Sequence, residues 1–306
     1  NIHPTTLLQM GEWERERLKK HSEEIDSTSS YRASMYYQKY LTDFLTSIGK
    51  KDIPLEEVTE DFGKSYKAHL KKCKNFGVSQ TNHCLRWLNR LLYLAVDKEI
   101  LRVNPCEDLE YEPKPEARHR YISREDFKKI LSTPMYDKRM ELARRAFIFS
   151  TLTGLAYADI MLLHPHHIGT NADGRRYIRI NRKKTKVEAF IPLHPIAERI
   201  LSLYNTTDDE KPVFPLPNRD ALWFEVHELG ITIGKEENLT YHQSRHSFGT
   251  FLISADIPIE SIAKMMGHSN IRTTQGYARI TDDKISKDMD KLMERRKKVS
   301  AGEKKK

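Results

Sequence analysis

No regular element can run through residues 104–120, and this break constrains the architecture more than any other feature of the chain. The stretch reads NPCEDLEYEPKPEARHR, in which Pro105, Pro113 and Pro115 lack an amide hydrogen and would clash with a continuing helix. Before it, apolar residues recur at 3.6-residue spacing, which predicts four helices near 6–25, 29–48, 56–75 and 79–98. The last is the clearest: Leu85, Leu88, Leu92 and Val96 share one face, and His83, Arg86, Arg90 and Tyr93 the opposite one. After the break the pattern is mixed. Helices are expected at 123–132, 137–152 and 156–163, then strands near 167–169, 177–180 and 188–191, then helices at 194–204, 218–229, 242–254, 258–266 and 281–298. Asp173-Gly174 supplies one hairpin turn and the polar run 182–186 the other. The chain is therefore expected to be mainly α with a small antiparallel β-sheet: a helical domain at 1–110, a linker at 111–122 and an α+β domain at 123–306. A chain of 306 residues is long enough for two separate cores.

Charge narrows the partner. Fifty-two Lys and Arg stand against 43 Asp and Glu, a net charge of +9, which points first to nucleic acid and leaves an ordinary solvated basic surface as the alternative. The polar face with His83, Arg86 and Arg90 suits phosphate contacts, as does the basic and aromatic cluster that holds Tyr36 and Lys39. No apolar run approaches the ~20 residues of a membrane span, and NIHPTT lacks the features of a signal peptide, so a cytoplasmic setting is expected. The start at Asn1 rather than Met leaves room for a preceding domain. Cys73, Cys84 and Cys106 are too few and too irregular for disulfides or zinc. His164, His166 and His167 are interrupted by Pro165 and have no carboxylate or thiol to complete a site, so no metal is expected. No phosphate-binding glycine loop is present, and no cofactor is expected.

Three segments carry the chemistry: TGLAYADI from Thr153, YHQSRHSFGTFL from Tyr241 and MGHSNIRTTQGYARI from Met266. A His-x-x-Arg-His run, a Gly-His pair about 20 residues on and a Tyr nine residues after that His form an order hard to obtain by chance. Together they resemble the catalytic boxes of the tyrosine recombinases, and in particular the integrases of conjugative transposons and related mobile elements. The resemblance spans roughly residues 20–298. It implies a helical core-binding domain and an α+β catalytic domain closing as a clamp on duplex DNA. It also implies strand cleavage and rejoining through a 3′-phosphotyrosine and a Holliday junction, with a homo-tetramer on DNA and accessory DNA-bending factors as partners.

The reaction explains the residue types. Attack on a phosphodiester builds negative charge on the non-bridging oxygens, which a planar guanidinium matches well, so Arg245 is the expected oxyanion clamp. A phenol must lose its proton to attack, which gives Tyr277 as nucleophile and His242 as general base. The resemblance assigns protonation of the departing 5′ oxygen to a hairpin lysine, Lys184, with Lys183 and Lys186 on the same turn. It has His268 donate to a phosphate oxygen and Asp159 orient Arg245 or a backbone group. One departure stands out. Where the family continues Thr-Gly-Leu with arginine, this chain has Ala156, a loss worth several kcal/mol of transition-state stabilisation unless another cation replaces it. Arg144 on the preceding helix is the first candidate and Arg145 the second. Two rivals remain: a type IB topoisomerase, and a DNA-binding protein with a dead site.

Overall fold

A computed structural model describes residues 4–24, 28–113 and 121–276, together with Met289 and Met293. The chain divides into two units, Asn1–Arg118 and His119–Lys306. Apart from Met289 and Met293, the helix expected at 281–298 and the basic tail lie outside the described residues.

In the first unit, α1 (Leu7–Glu24), α2 (Ser29–Ser47), α3 (Glu60–Lys72) and α4 (Val78–Asp97) surround a core that includes Leu41, Leu45, Tyr66, Leu70, Leu85, Leu88 and Leu92. The third helix starts later than the periodicity predicts. Leu55–Glu57 forms a single tight turn, the backbone is extended at Val58 and Thr59, and α3 begins where the Thr59 hydroxyl accepts from the Phe62 amide at 3.2 Å. Thr followed by Glu60 and Asp61 is a stronger start signal than apolar spacing. The stretch after α4 is irregular, as its prolines require, but it is fastened down. Asn104 donates to Asn89 at 2.9 Å, Asn89 donates to the Tyr111 hydroxyl at 2.8 Å, and Asn82 exchanges 2.8 Å bonds with the Glu112 backbone.

The second unit is built on α6 (Lys138–Thr153), whose Ala143, Ala146, Phe147, Ile148 and Phe149 are all buried. A helix buried on nearly every side of its second half belongs inside a bundle. Around it pack α5 (Arg124–Ser132), α8 (Pro195–Leu201), α9 (Arg219–Thr232) and α10 (Tyr241–Ser254). Three antiparallel strands, β1 (Ile168–Thr170), β2 (Arg176–Asn181) and β3 (Glu188–Pro192), pair in sequence order, with Ile178 opposite Ile191 and Ile180 opposite Ala189 on the buried face. The helix α11 (Ile259–Met266) packs on β3. The helix expected at 156–163 is only the single turn α7 (Tyr157–Ile160), because the approach to Pro165 disfavours helical backbone. A short helix that the periodicity did not suggest, α12 (Ile271–Gln275), is started by the Asn270 side chain accepting from the Arg272 amide at 2.9 Å.

Candidate active site

Segments distant in sequence meet in the second unit around one arginine. α10 opens on a reciprocal cap: the Thr240 side chain accepts from the Gln243 amide, and the Thr240 amide donates to Gln243 Oε1 at 2.7 Å. Tyr241, fully buried, anchors that turn edge-on against Phe147 and Tyr157, with its hydroxyl donating to the Ala146 carbonyl at 3.3 Å. Burial raises this phenol far above its usual range, so Tyr241 is a packing residue. One turn later Arg245 points inward and is 6% exposed.

Its guanidinium is held by the ends of two helices. Nη1 donates to the Gly154 carbonyl at the end of α6, and Nη2 donates to the Met266 carbonyl at the end of α11 at 2.9 Å. Terminal carbonyls are unpaired within their own helix and carry partial negative charge, which suits a buried cation. Each helix stops on a left-handed glycine, Gly154 (φ 70°) and Gly267 (φ 58°), a conformation that side chains with a Cβ rarely adopt. Added Cβ atoms would come within 2.4 Å of Phe248 and 2.5 Å of Arg182 respectively.

His268 lies against the same guanidinium. Its Nε2 is 2.9 Å from Arg245 Nη2 and its Nδ1 is 2.7 Å from the Thr274 hydroxyl. Burial first, then the charges of Arg245 and Arg182, press its pKa down to about 4, so the ring is neutral near pH 7. Facing an obligate donor, Nε2 must accept, which leaves Nδ1–H to donate to Thr274. In this arrangement Nε2 accepts from Arg245 and the Nδ1 proton is given to Thr274.

The hairpin turn between β2 and β3 closes the cluster. Arg182, 6% exposed, donates from Nε to Asp159 Oδ2 at 2.5 Å and from Nη1 to the Met266 carbonyl. Asp159, on α7, also accepts from the Lys183 amide at 2.9 Å. Of the two roles expected of Asp159, the backbone contact is present, and the guanidinium it orients is that of Arg182. The Thr185 hydroxyl donates to the Gly267 carbonyl at 3.1 Å, which staples the far side of the turn. Lys184 is exposed at the tip of this turn, and His242 is exposed on the first turn of α10, its ring 4.5 Å from and perpendicular to that of His246. Tyr277 lies outside the described residues, which run to Gly276 at the end of α12.

Arg144 is not brought to this cluster. Its Nε and Nη2 each donate to Glu141 at 2.8 Å, and its Nη1 donates to the Ile130 and Leu131 carbonyls of α5 at 2.8 and 3.2 Å. Arg145 also binds Glu141, at 2.7 Å. The reason is geometric: ten residues of helix separate Arg144 from Gly154, about 15 Å at ~1.5 Å per residue, and an acidic partner lies one turn away. Among the described residues, the arginine that joins Arg245 is Arg182, at the start of the polar turn.

In the first unit, Tyr36, Lys39, His83 and Arg86 are exposed. Tyr36, Tyr37, Tyr40 and His83 line a recess of about 600 Å³ between α2 and α4. Arg86 stacks over the Tyr111 ring at 5.4 Å. Arg90 is spoken for: it binds the fully buried Glu14, Nε to Oε1 at 2.7 Å, in a carboxylate it shares with Arg17.

Comparison with known proteins gives two family matches. Residues 120–284 match the phage integrase family and residues 12–112 the phage integrase SAM-like domain. The tyrosine recombinase XerC of Haemophilus influenzae is 27% identical over 243 residues, which are 74% of this chain and 80% of that protein. The ICEBs1 integrase of Bacillus subtilis is 23% identical over 310 residues, covering 88% of this chain and 79% of that one. Among solved structures, the Tn1549 transposon integrase bound to transposon right end DNA superposes with a TM-score of 0.66 at 19% identity, covering 94% of this chain and 99% of that one. A post-cleavage complex of the XerH recombinase with palindromic difH gives 0.69 at 14% identity, covering 89% and 82%.

Proposed function

The chain belongs to the phage integrase family, and from that premise we propose that the cluster around Arg245 cuts and rejoins DNA, with Tyr277 as nucleophile, for the integration and excision of a mobile element. The observation that carries this reading is the buried Arg245 guanidinium, fixed by two helix-end carbonyls beside a neutral His268. A donor held this rigidly suits the negative charge that builds on phosphate oxygens and needs no reorganisation as it builds.

The reaction balances without an external energy source. The Tyr277 oxygen attacks phosphorus and its proton passes to His242. The bond from phosphorus to the 5′ oxygen breaks, and that oxygen takes a proton from Lys184, leaving a 3′-phosphotyrosine. Attack by a 5′ hydroxyl of another strand reverses each transfer, so one phosphoester is always exchanged for another. Exposure of Lys184 and His242 supports their roles, since groups that exchange protons with DNA must be reachable. Tyr36, Lys39, His83 and Arg86 form the duplex-facing surface of the helical unit, and Arg90 adds less because its Nε and Nη2 are engaged by Glu14. Four cuts in two duplexes require a homo-tetramer on DNA, with DNA-bending proteins as accessory factors and the cytoplasm as setting.

The test uses suicide duplexes, nicked so that the cut strand diffuses away, tiled across the DNA flanking this chain's own coding sequence. A denaturation-resistant protein–DNA adduct, lost in Tyr277→Phe, is expected. DNA binding with no adduct on any duplex overturns the reading in favour of a binding protein. Adducts that relax supercoils but never yield recombinant joints make the chain a topoisomerase.

A further inference from the structure

Arg182 has no part in the reaction as written above, yet it sits at the centre of the cluster. Its guanidinium and that of Arg245 both donate to one oxygen, the Met266 carbonyl, so two cations are held side by side through a shared acceptor. Such an arrangement repels itself unless something offsets it. Two features do: the Asp159 carboxylate, 2% exposed, on the other arm of Arg182, and the negative end of α11 beneath both. Asp159 also links this pair to the hairpin turn. It takes the Lys183 amide at the foot of the Lys184 turn, and Gly267, packed against the Arg182 side chain, leads directly into His268. The position is specific, because a Cβ at Gly267 would lie 2.5 Å from Arg182 Cγ. Ala156 is the N-cap of α7, and Asp159 on that turn holds Arg182.

We propose that Arg182 is a positioning residue for strand cleavage: with one arm on Met266 and the other on Asp159, it sets Arg245, His268 and the Lys184 turn in register with one another. This rests on the reading of the site as a DNA-cleaving centre. Both arms of Arg182 are committed, Nε to Asp159 and Nη1 to the Met266 carbonyl, and it acts through these neighbours.

A bland alternative exists, in which Arg182 only neutralises a buried carboxylate, and the experiment separates the two. The full chain is prepared as Arg182→Lys and as the double variant Arg182→Met, Asp159→Asn, which removes both charges at similar volume. Adduct formation on the suicide duplex, duplex affinity and thermal midpoint are measured for each. The double variant is expected to fold and bind duplex within about threefold of wild type, and to form adduct about 100-fold more slowly, the scale for disturbing one oxyanion donor. Arg182→Lys has a single ammonium and cannot span both partners, so it should fall between the two, about tenfold slow. Cleavage by the double variant within about threefold of wild type means charge balance was its whole role and overturns the proposal. If the double variant does not fold, Arg182→Lys decides alone, and wild-type cleavage by it overturns the proposal equally. Failure of the wild-type chain to form any adduct overturns the reading of the site and this inference with it, whereas a normal wild-type adduct beside a fast double variant overturns this inference only.

Discussion

Arg144 and His268 show how differently two charged or chargeable side chains behave once their partners are fixed. Burial alone would raise Glu141, but Arg144, the Met135 amide and Arg145 hold its carboxyl at about 2, and Arg144 in turn closes the carbonyl end of α5. Arg144→Ala therefore leaves a carboxylate and two carbonyls short of donors, and should cost about 2–3 kcal/mol of stability in chemical denaturation. The folded fraction should cleave DNA within about threefold of wild type; a 100-fold loss with unchanged stability would return Arg144 to the active site. His268 is faced by Arg245 from α10, Arg182 from the end of β2 and Thr274 from α12. Its folded pKa of about 4 lies below the ordinary 6.5, so the unfolded chain takes the proton first as pH falls. Its contribution is intact above about pH 6.5 and is lost progressively toward pH 4. The thermal midpoint should drop more steeply between about pH 7 and 4.5 in wild type than in His268→Gln, and parallel pH curves for the two proteins would contradict the buried neutral imidazole.

The elements of the site are short and depend on how each one ends. Gly154→Ala asks a β-carbon to occupy left-handed backbone 2.4 Å from Phe248, and should lower stability by at least ~2 kcal/mol while also displacing the carbonyl that holds Arg245. A Gly154→Ala protein with wild-type stability and adduct yield would mean that α6 can end another way. Thr59→Ala removes the cap of α3 and should cost about 1 kcal/mol, read as a lower denaturation midpoint. At this scale the sequence was legible where periodicity and caps agreed, as in α4, and misleading where they competed, as at Thr59. The instructive miss is Arg182. Ile178 and Ile180 alternate into the core, and the same period of two points residue 182 inward as well, yet its charge and the lysines after it suggested a solvated turn. Arginine in an inward strand position calls for a buried acid, and Asp159, 2% exposed, is that acid. Arg144 is the opposite case: its length alone permits a long reach, but Glu141, one turn before it, claims its guanidinium.

For the whole molecule, each unit has its own core, and residues 104–113 belong physically to the first through Asn82, Asn89 and the lysines that hold Glu112. A fragment ending at Pro113 should therefore be helical and unfold cooperatively, whereas one ending at Asn104 loses those bonds and should melt at lower temperature. A net charge of +9 predicts that duplex affinity falls steeply as salt rises, with log affinity linear in log salt. Arg86→Ala should flatten that slope by about one counterion, and Arg90→Ala should leave it nearly unchanged while reducing stability. The enclosed site also bears on how such a chain can change under selection. Arg245, Arg182 and Asp159 are buried, so single substitutions there that strand an unpaired charge remove activity and folded protein together, and are purged as unstable chains. Lys184 and His242 are exposed, and changes there spare the core. A lineage drifting from cutting DNA toward merely occupying it would therefore lose its reactive rim first and keep its arginine cluster as a fossil of the older chemistry.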